Sequence, residues 1–237
     1  MIKILNLIFF AGMVVMNYLA NALPLNGKTT GELSDAFPNL FVPAGITFSI
    51  WGVIYLLILV FCVVQFSGAN VAAVSGIGWF FGISCLLNAL WIVCWHYGKI
   101  PLSVVVMLGL LATLIYMNLQ MNDLPTGIIK ASFGIYLGWI CIATIASITT
   151  LLVHYHWNGF GISPEIWAIA MIIAGTAIAV LAITRFNNYF IGISVVWAFI
   201  GIILKRNGDY RSIAIAAGVA GLVVGIIVIR SFILKIR

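Results

Sequence analysis

Residues 43–65, PAGITFSIWGVIYLLILVFCVVQ, carry no charged side chain and are long enough to cross a bilayer, whose hydrocarbon core takes about 20 residues of helix. No water reaches the backbone there. Its polar groups must bond within their own segment, which makes the run an α-helix. Seven more runs share this apolar character: 4–23, 76–97, 102–121, 131–153, 165–183, 189–204 and 212–234. Charged residues make up 7% of the chain, against about a quarter in soluble domains, and mean hydropathy is +1.23. The expected fold is all-α: a polytopic integral membrane bundle of about eight transmembrane helices, placed in the plasma membrane.

The first run imitates a secretory signal, with Lys3 ahead of an apolar core and Ala20-Asn21-Ala22 behind it. Its length, and Asn17 and Asn21 on one face where they suit a neighbouring helix, identify it instead as a retained first span. The longest polar connection, 24–42, holds Glu32 and Asp35 and ends in Phe37, Leu40 and Phe41, a pattern expected to fold over the membrane face as a cover. Residues 67–75 are small and uncharged and read as a loop.

A net charge of +6 raises the question of nucleic acid, but the basic residues are scattered at helix ends and in short loops, with no stripe to follow a phosphate backbone. They read as anchors at lipid headgroups, and no nucleic-acid partner is expected. If the spans alternate, one side holds Lys3, Lys130, Arg185, Arg230, Lys235 and Arg237, and the other Lys28, Lys99, Lys205, Arg206 and Arg211. That near-balance leans only slightly toward cytoplasmic termini. Cys62, Cys85, Cys94 and Cys141 sit inside apolar runs without paired spacing and are expected free and buried. Ala217, Gly221 and Gly225 form a ladder of small residues that lets helices approach closely, within the chain or between two copies of it.

Three spans carry large aromatic residues at helical spacing. Phe48, Trp51 and Tyr55 share one face, Asn88, Trp91 and Trp95 another, and Tyr136, Trp139 and Ala143 a third. Together they are expected to wall one apolar pocket with a few polar groups, lidded by residues 24–42. Asn88 must find a partner in a neighbouring helix or a ligand, because an unbonded amide in hydrocarbon costs about 4–8 kcal/mol. Trp197 lies outside these faces and reads as independent of the pocket.

Other chemistry finds less support. No Asp or Glu stands in the middle of a span, where proton-coupled carriers keep one. Phosphate-binding loops, serine-hydrolase elbows and zinc-protease helices are absent from the sequence. His154 and His156 lack a third ligand nearby and read as interfacial residues, not a metal site. His96, which has the chemistry to ligate a haem iron, reads as a histidine snorkelling from a helix end.

The spacings P-x7-W-x3-Y (Pro43, Trp51, Tyr55), N-x2-W (Asn88, Trp91) and Y-x2-W-x3-A (Tyr136, Trp139, Ala143) together resemble the TspO/MBR family, the tryptophan-rich sensory proteins related to the mitochondrial translocator protein. The resemblance covers residues 1–153, implying a five-helix core there and a three-helix extension over 154–237. Against the family pattern, Val42 replaces the first of two prolines, Ser84 a glutamine, Ile135 a proline and Ser147 an asparagine. The resemblance implies a membrane sensor or carrier for a flat hydrophobic ligand such as porphyrin or haem, with no resident cofactor. Its ligand-binding set is Phe48, Trp51, Tyr55, Asn88, Trp91, Tyr136, Trp139 and Ala143. The alternatives are a light-dependent porphyrin-degrading enzyme at the same pocket, and a permease or scaffold whose aromatic residues only pack. Membrane lipid and a hydrophobic small molecule are the expected partners.

Overall fold

The computed structural model describes residues 1–23 and 25–236, and side chains through residue 234. Pro24, at the start of the expected lid, and the anchors Lys235 (its side chain) and Arg237 lie outside the described residues. Among the described residues ten α-helices run in chain order: α1 (Ile2–Ala22), α2 (Thr30–Asp35), α3 (Ile50–Val64), α4 (Val71–Ile77), α5 (Phe80–His96), α6 (Ile100–Gln120), α7 (Ile128–His154), α8 (Pro164–Arg185), α9 (Phe190–Arg206) and α10 (Arg211–Ile236). No strand occurs among the described residues.

Six segments are long and apolar enough to cross a membrane, α3 with the 3₁₀ turn before it among them, and α4 with α5, bent by 58°, makes seven if the pair counts as one span. Eight spans were expected; the remaining one, α9, has 17 residues rising about 26 Å, shorter than the roughly 30 Å hydrocarbon core. The chain is therefore a polytopic membrane helix bundle, as its composition requires.

Two boundaries differ from the sequence reading. Residues 67–75 are not a plain loop: a 3₁₀ turn, Gly68–Asn70, leads into α4, whose short run VAAVSGI buries Ala73, Val74 and Ile77. The break comes at Gly78, whose φ of +51° and ψ of −137° suit glycine alone. The span after Pro43 opens with a 3₁₀ turn, Gly45–Ser49, so Phe48 precedes the α-helix.

Helix α7 is the axis of the bundle, packing against α3, α6, α8 and α9. Glycine makes the closest approach possible. A Cβ at Gly138 would collide with the Ile191 carbonyl and the Ser194 hydroxyl of α9, and one at Gly175 would press on Ile142 and Ile145 of α7. The small-residue ladder works partly within the chain, with Ala217 fully buried and Gly221 facing Phe199 of α9.

Buried amides cross-link the helices at the end remote from the lid. Asn6 donates to the Gln65 side chain at 3.0 Å. Asn188 donates to the Lys130 carbonyl (2.9 Å) and the Asn118 amide oxygen (3.2 Å), tying the start of α9 to α6 and α7. Lys130 is not a headgroup anchor: it is 2% exposed and donates to the Asn122 carbonyl at 2.8 Å. The four cysteines are free and buried.

Candidate functional site

The three aromatic faces meet. Trp51 sits at their centre, stacked on Tyr55 with ring centroids 5.6 Å apart. It lies 6.4 Å from Trp91 and edge-on to Tyr136 (5.9 Å) and Trp139 (6.2 Å). Phe48 meets Trp139 edge-on at 5.8 Å, and Trp95 stacks on Trp91 at 5.9 Å. Such offset and edge-on contacts match the positive ring edge to the negative face.

These rings wall a cavity of about 40 Å³. Of the expected set, Phe48, Trp51, Trp91, Trp139 and Ala143 line it. Tyr55, Asn88 and Tyr136 do not; they form the layer beneath. There Asn17 donates to the Asn88 amide oxygen at 2.8 Å and Asn88 donates to the Tyr136 hydroxyl at 2.9 Å. Asn88 thus takes its partners from neighbouring helices, and the α1 face bearing Asn17 is explained by the same bond.

The expected ligand-binding set left out several lining residues, Trp95 among them although it was read on one of the three faces. Trp95 shares the Trp91 face and belongs to the wall. Ala146, Ser147 and Thr150 continue the Trp139–Ala143 stripe of α7 at i+3 and i+4, a signal that was there to be extended. Ser147 spends its hydroxyl on the Ala143 carbonyl at 2.8 Å. Ser84 bonds back to Phe81 and lies off the cavity.

Unpartnered polar atoms concentrate here. The indole nitrogens of Trp91, Trp95 and Trp139 and the hydroxyls of Tyr55 and Thr47 are buried with no hydrogen-bond partner. The wall therefore offers mostly donors. It presents no charged side chain.

The expected lid is present, with α2 over the cavity through Thr30 and Ser34. Thr29 and Glu32 cap this short helix reciprocally: the Thr29 N–H and hydroxyl both donate to the Glu32 carboxylate (2.7 and 2.9 Å), and the Glu32 N–H donates to Thr29 Oγ1. Those donors hold the Glu32 carboxyl below the usual glutamate range, the backbone N–H contributing most.

His96 does not snorkel. It is 1% exposed and pins the lid, with Nδ1 3.0 Å from the Leu25 carbonyl and Nε2 3.1 Å from Thr30 Oγ1. A carbonyl only accepts, so Nδ1 carries the proton, and in the neutral ring Nε2 accepts from the Thr30 hydroxyl. Both nitrogens are engaged within the protein, which argues against iron ligation. His154 packs edge-on against Phe37 at 6.4 Å. Among the described residues no group of three His, Cys, Asp or Glu side chains is placed to hold a metal.

The other side of the lid is held by α9. Lys205 pairs with Asp35. Arg206 donates through Nη2 to the Asn39 carbonyl (2.7 Å) and through Nε to the Leu40 carbonyl (3.0 Å). The Ala44 N–H donates to the Gly201 carbonyl at 3.0 Å, and Trp197 Nε1 to the Thr47 carbonyl at 2.9 Å. Trp197 is therefore not independent of the pocket, since it fixes the turn that carries Phe48.

The family described as TSPO-like protein matches residues 3–230 of this sequence. The chain belongs to that family. The match runs through α8 and α9 and most of α10 as well as the earlier helices. Comparison with curated proteins and with solved structures finds no match in either. As a TSPO-like chain it carries the tryptophans of the motif on the walls of one cavity, and α9 holds the segment that covers it.

Proposed function

We propose that this TSPO-like membrane protein is a sensor or carrier for a flat hydrophobic ligand of the porphyrin class, held among Trp51, Trp91 and Trp139. The observation that carries the reading is the meeting of three aromatic faces from α3, α5 and α7 around one uncharged cavity. Aromatic walls suit a planar apolar ligand, and the free indole N–H groups suit acceptor atoms at its edge. A plasma-membrane location belongs to the same proposal.

The cavity, about 40 Å³, is far below the roughly 300–1,000 Å³ of ligand pockets. The ligand therefore enters by displacing the lid, and residues 30–47, held by His96 on one side and α9 on the other, are the gate. The test is to titrate the detergent-solubilised protein with protoporphyrin in the dark. Four of the eight tryptophans line the cavity, so saturable quenching of tryptophan emission is expected. Absence of quenching contradicts the proposal, and new absorbance bands that form only under light would assign porphyrin breakdown instead.

A further inference from the structure

A second cavity, of about 250 Å³, opens on the flank of the bundle between α7 and α8. Its walls are the last two turns of α7, the first two turns of α8, the connection between them and residues 38–41. Residues 38–42 divide it from the central cavity. Phe41 and Thr149 face outward into it, whereas Val42 and Thr150 line the inner one.

The chemistry of this wall is distinctive. None of its lining residues is charged. Away from the loop end its polar side chains are already engaged: Asn39 Nδ2 donates to Thr149 Oγ1 at 2.7 Å, its Oδ1 accepts from the Phe41 N–H at 3.1 Å, and Trp167 Nε1 donates to the Gly159 carbonyl at 2.9 Å. None of the buried unpartnered side-chain atoms named above lies on it. Such a wall has nothing to recognise a charge or to hold water, since apolar cavities stay dry. Polarity also runs along its length. Asn158 stands at the loop end, level with Trp157 and Trp167, which are 5.1 Å apart, as interfacial aromatic residues are. Ile148 and Met171 close the end toward the middle of the membrane. The rim is open, with Ile148 39% and Ile162 43% exposed to the surroundings of the bundle, which in a membrane are lipid.

We propose that this cavity is a binding site for one acyl chain of a bilayer lipid, whose polar part stays at the Asn158 loop. The chain packs along Leu152 and Ala168 and rests against Phe41, so the bound lipid buttresses the outer side of the segment that gates the central cavity.

The test uses the full chain in phosphatidylcholine vesicles containing a phosphatidylcholine with a diazirine in its acyl chain. After irradiation, label is expected to concentrate on residues 148–171 above the level on the outer face of α10, where Leu222 and Ile226 are ordinary lipid contacts. Ala168→Trp, which fills the cavity from α8, and Leu152→Trp, which fills it from α7, should lower labelling of 148–171 to the α10 level. Trp51→Leu should leave it unchanged, which separates this site from the porphyrin pocket. Labelling of 148–171 no higher than α10 in the parent overturns the proposal without any variant. Labelling undiminished in the filled variants overturns it as well.

Discussion

Trp197 Nε1 donates a 2.9 Å hydrogen bond to the carbonyl of Thr47, residues 150 positions apart. It joins α9 to the 3₁₀ turn that positions Phe48, and Gly201 one turn later lets that turn sit against the helix. A Cβ at Gly201 would collide with Thr47 and Pro43. Trp197→Phe keeps an aromatic ring, though a smaller one, and removes the donor. It should cost about 0.5–1.5 kcal/mol of stability and weaken porphyrin binding measurably, because Phe48 loses its fixed seat. Thermal unfolding together with the dark titration checks both. Unchanged binding would mean the turn is held without this bond.

Arg206 holds the Asn39 and Leu40 carbonyls with a cation, and hydrogen bonds to charged groups contribute about 1.5–3 kcal/mol. Arg206→Met preserves the packing of the stem and releases the carbonyls. Hydrogen exchange at residues 39–42 should quicken, and porphyrin should associate faster than with the parent, as stopped-flow quenching would record.

Asn88 lies beneath the cavity floor, bonded to Asn17 and Tyr136. Asn88→Leu strands a buried N–H of Asn17 and the Tyr136 hydroxyl, each at about 1–3 kcal/mol. The expected result is a clearly lower Tm with porphyrin affinity of the folded protein close to the parent's. A large affinity loss without a fall in Tm would put Asn88 in contact with the ligand.

The aromatic faces and Asn88 were legible in the sequence because helical spacing alone places them, and lipid leaves few other uses for an amide. The class of the fold followed from run length, but the count of eight did not: six segments are long and apolar enough to cross, or seven with the bent pair α4 and α5. What escaped was either local backbone detail or contact between distant parts of the chain. Nothing in VAAVSGI distinguishes a short helix from a loop until Gly78 is seen at positive φ. His96 looked like a helix-end residue because its partners, Leu25 and Thr30, lie some 70 positions away. The role of α9 was hidden for the same reason, since its contacts with residues 35–47 span 150 positions or more.

Gly138 tests the seam between α7 and α9. Gly138→Ala places a methyl group against the Ile191 carbonyl, which belongs to a helix backbone and cannot yield cheaply. Overpacking of this kind costs about 1–3 kcal/mol. Gly12→Ala, where nothing lies within 4 Å, should be neutral or stabilising by up to about 1 kcal/mol. Thermal unfolding of the two variants side by side reads the difference.

The most direct test is the dark protoporphyrin titration of Trp51→Leu and Trp139→Leu beside the parent. Leucine keeps hydrophobic bulk and removes a flat wall. If the ligand lies among these rings, affinity should fall about tenfold or more in each variant, equivalent to about 1.4 kcal/mol, with Tm falling less than in Asn88→Leu. Parent-like affinity in both variants would contradict the assignment of this cavity as the ligand site.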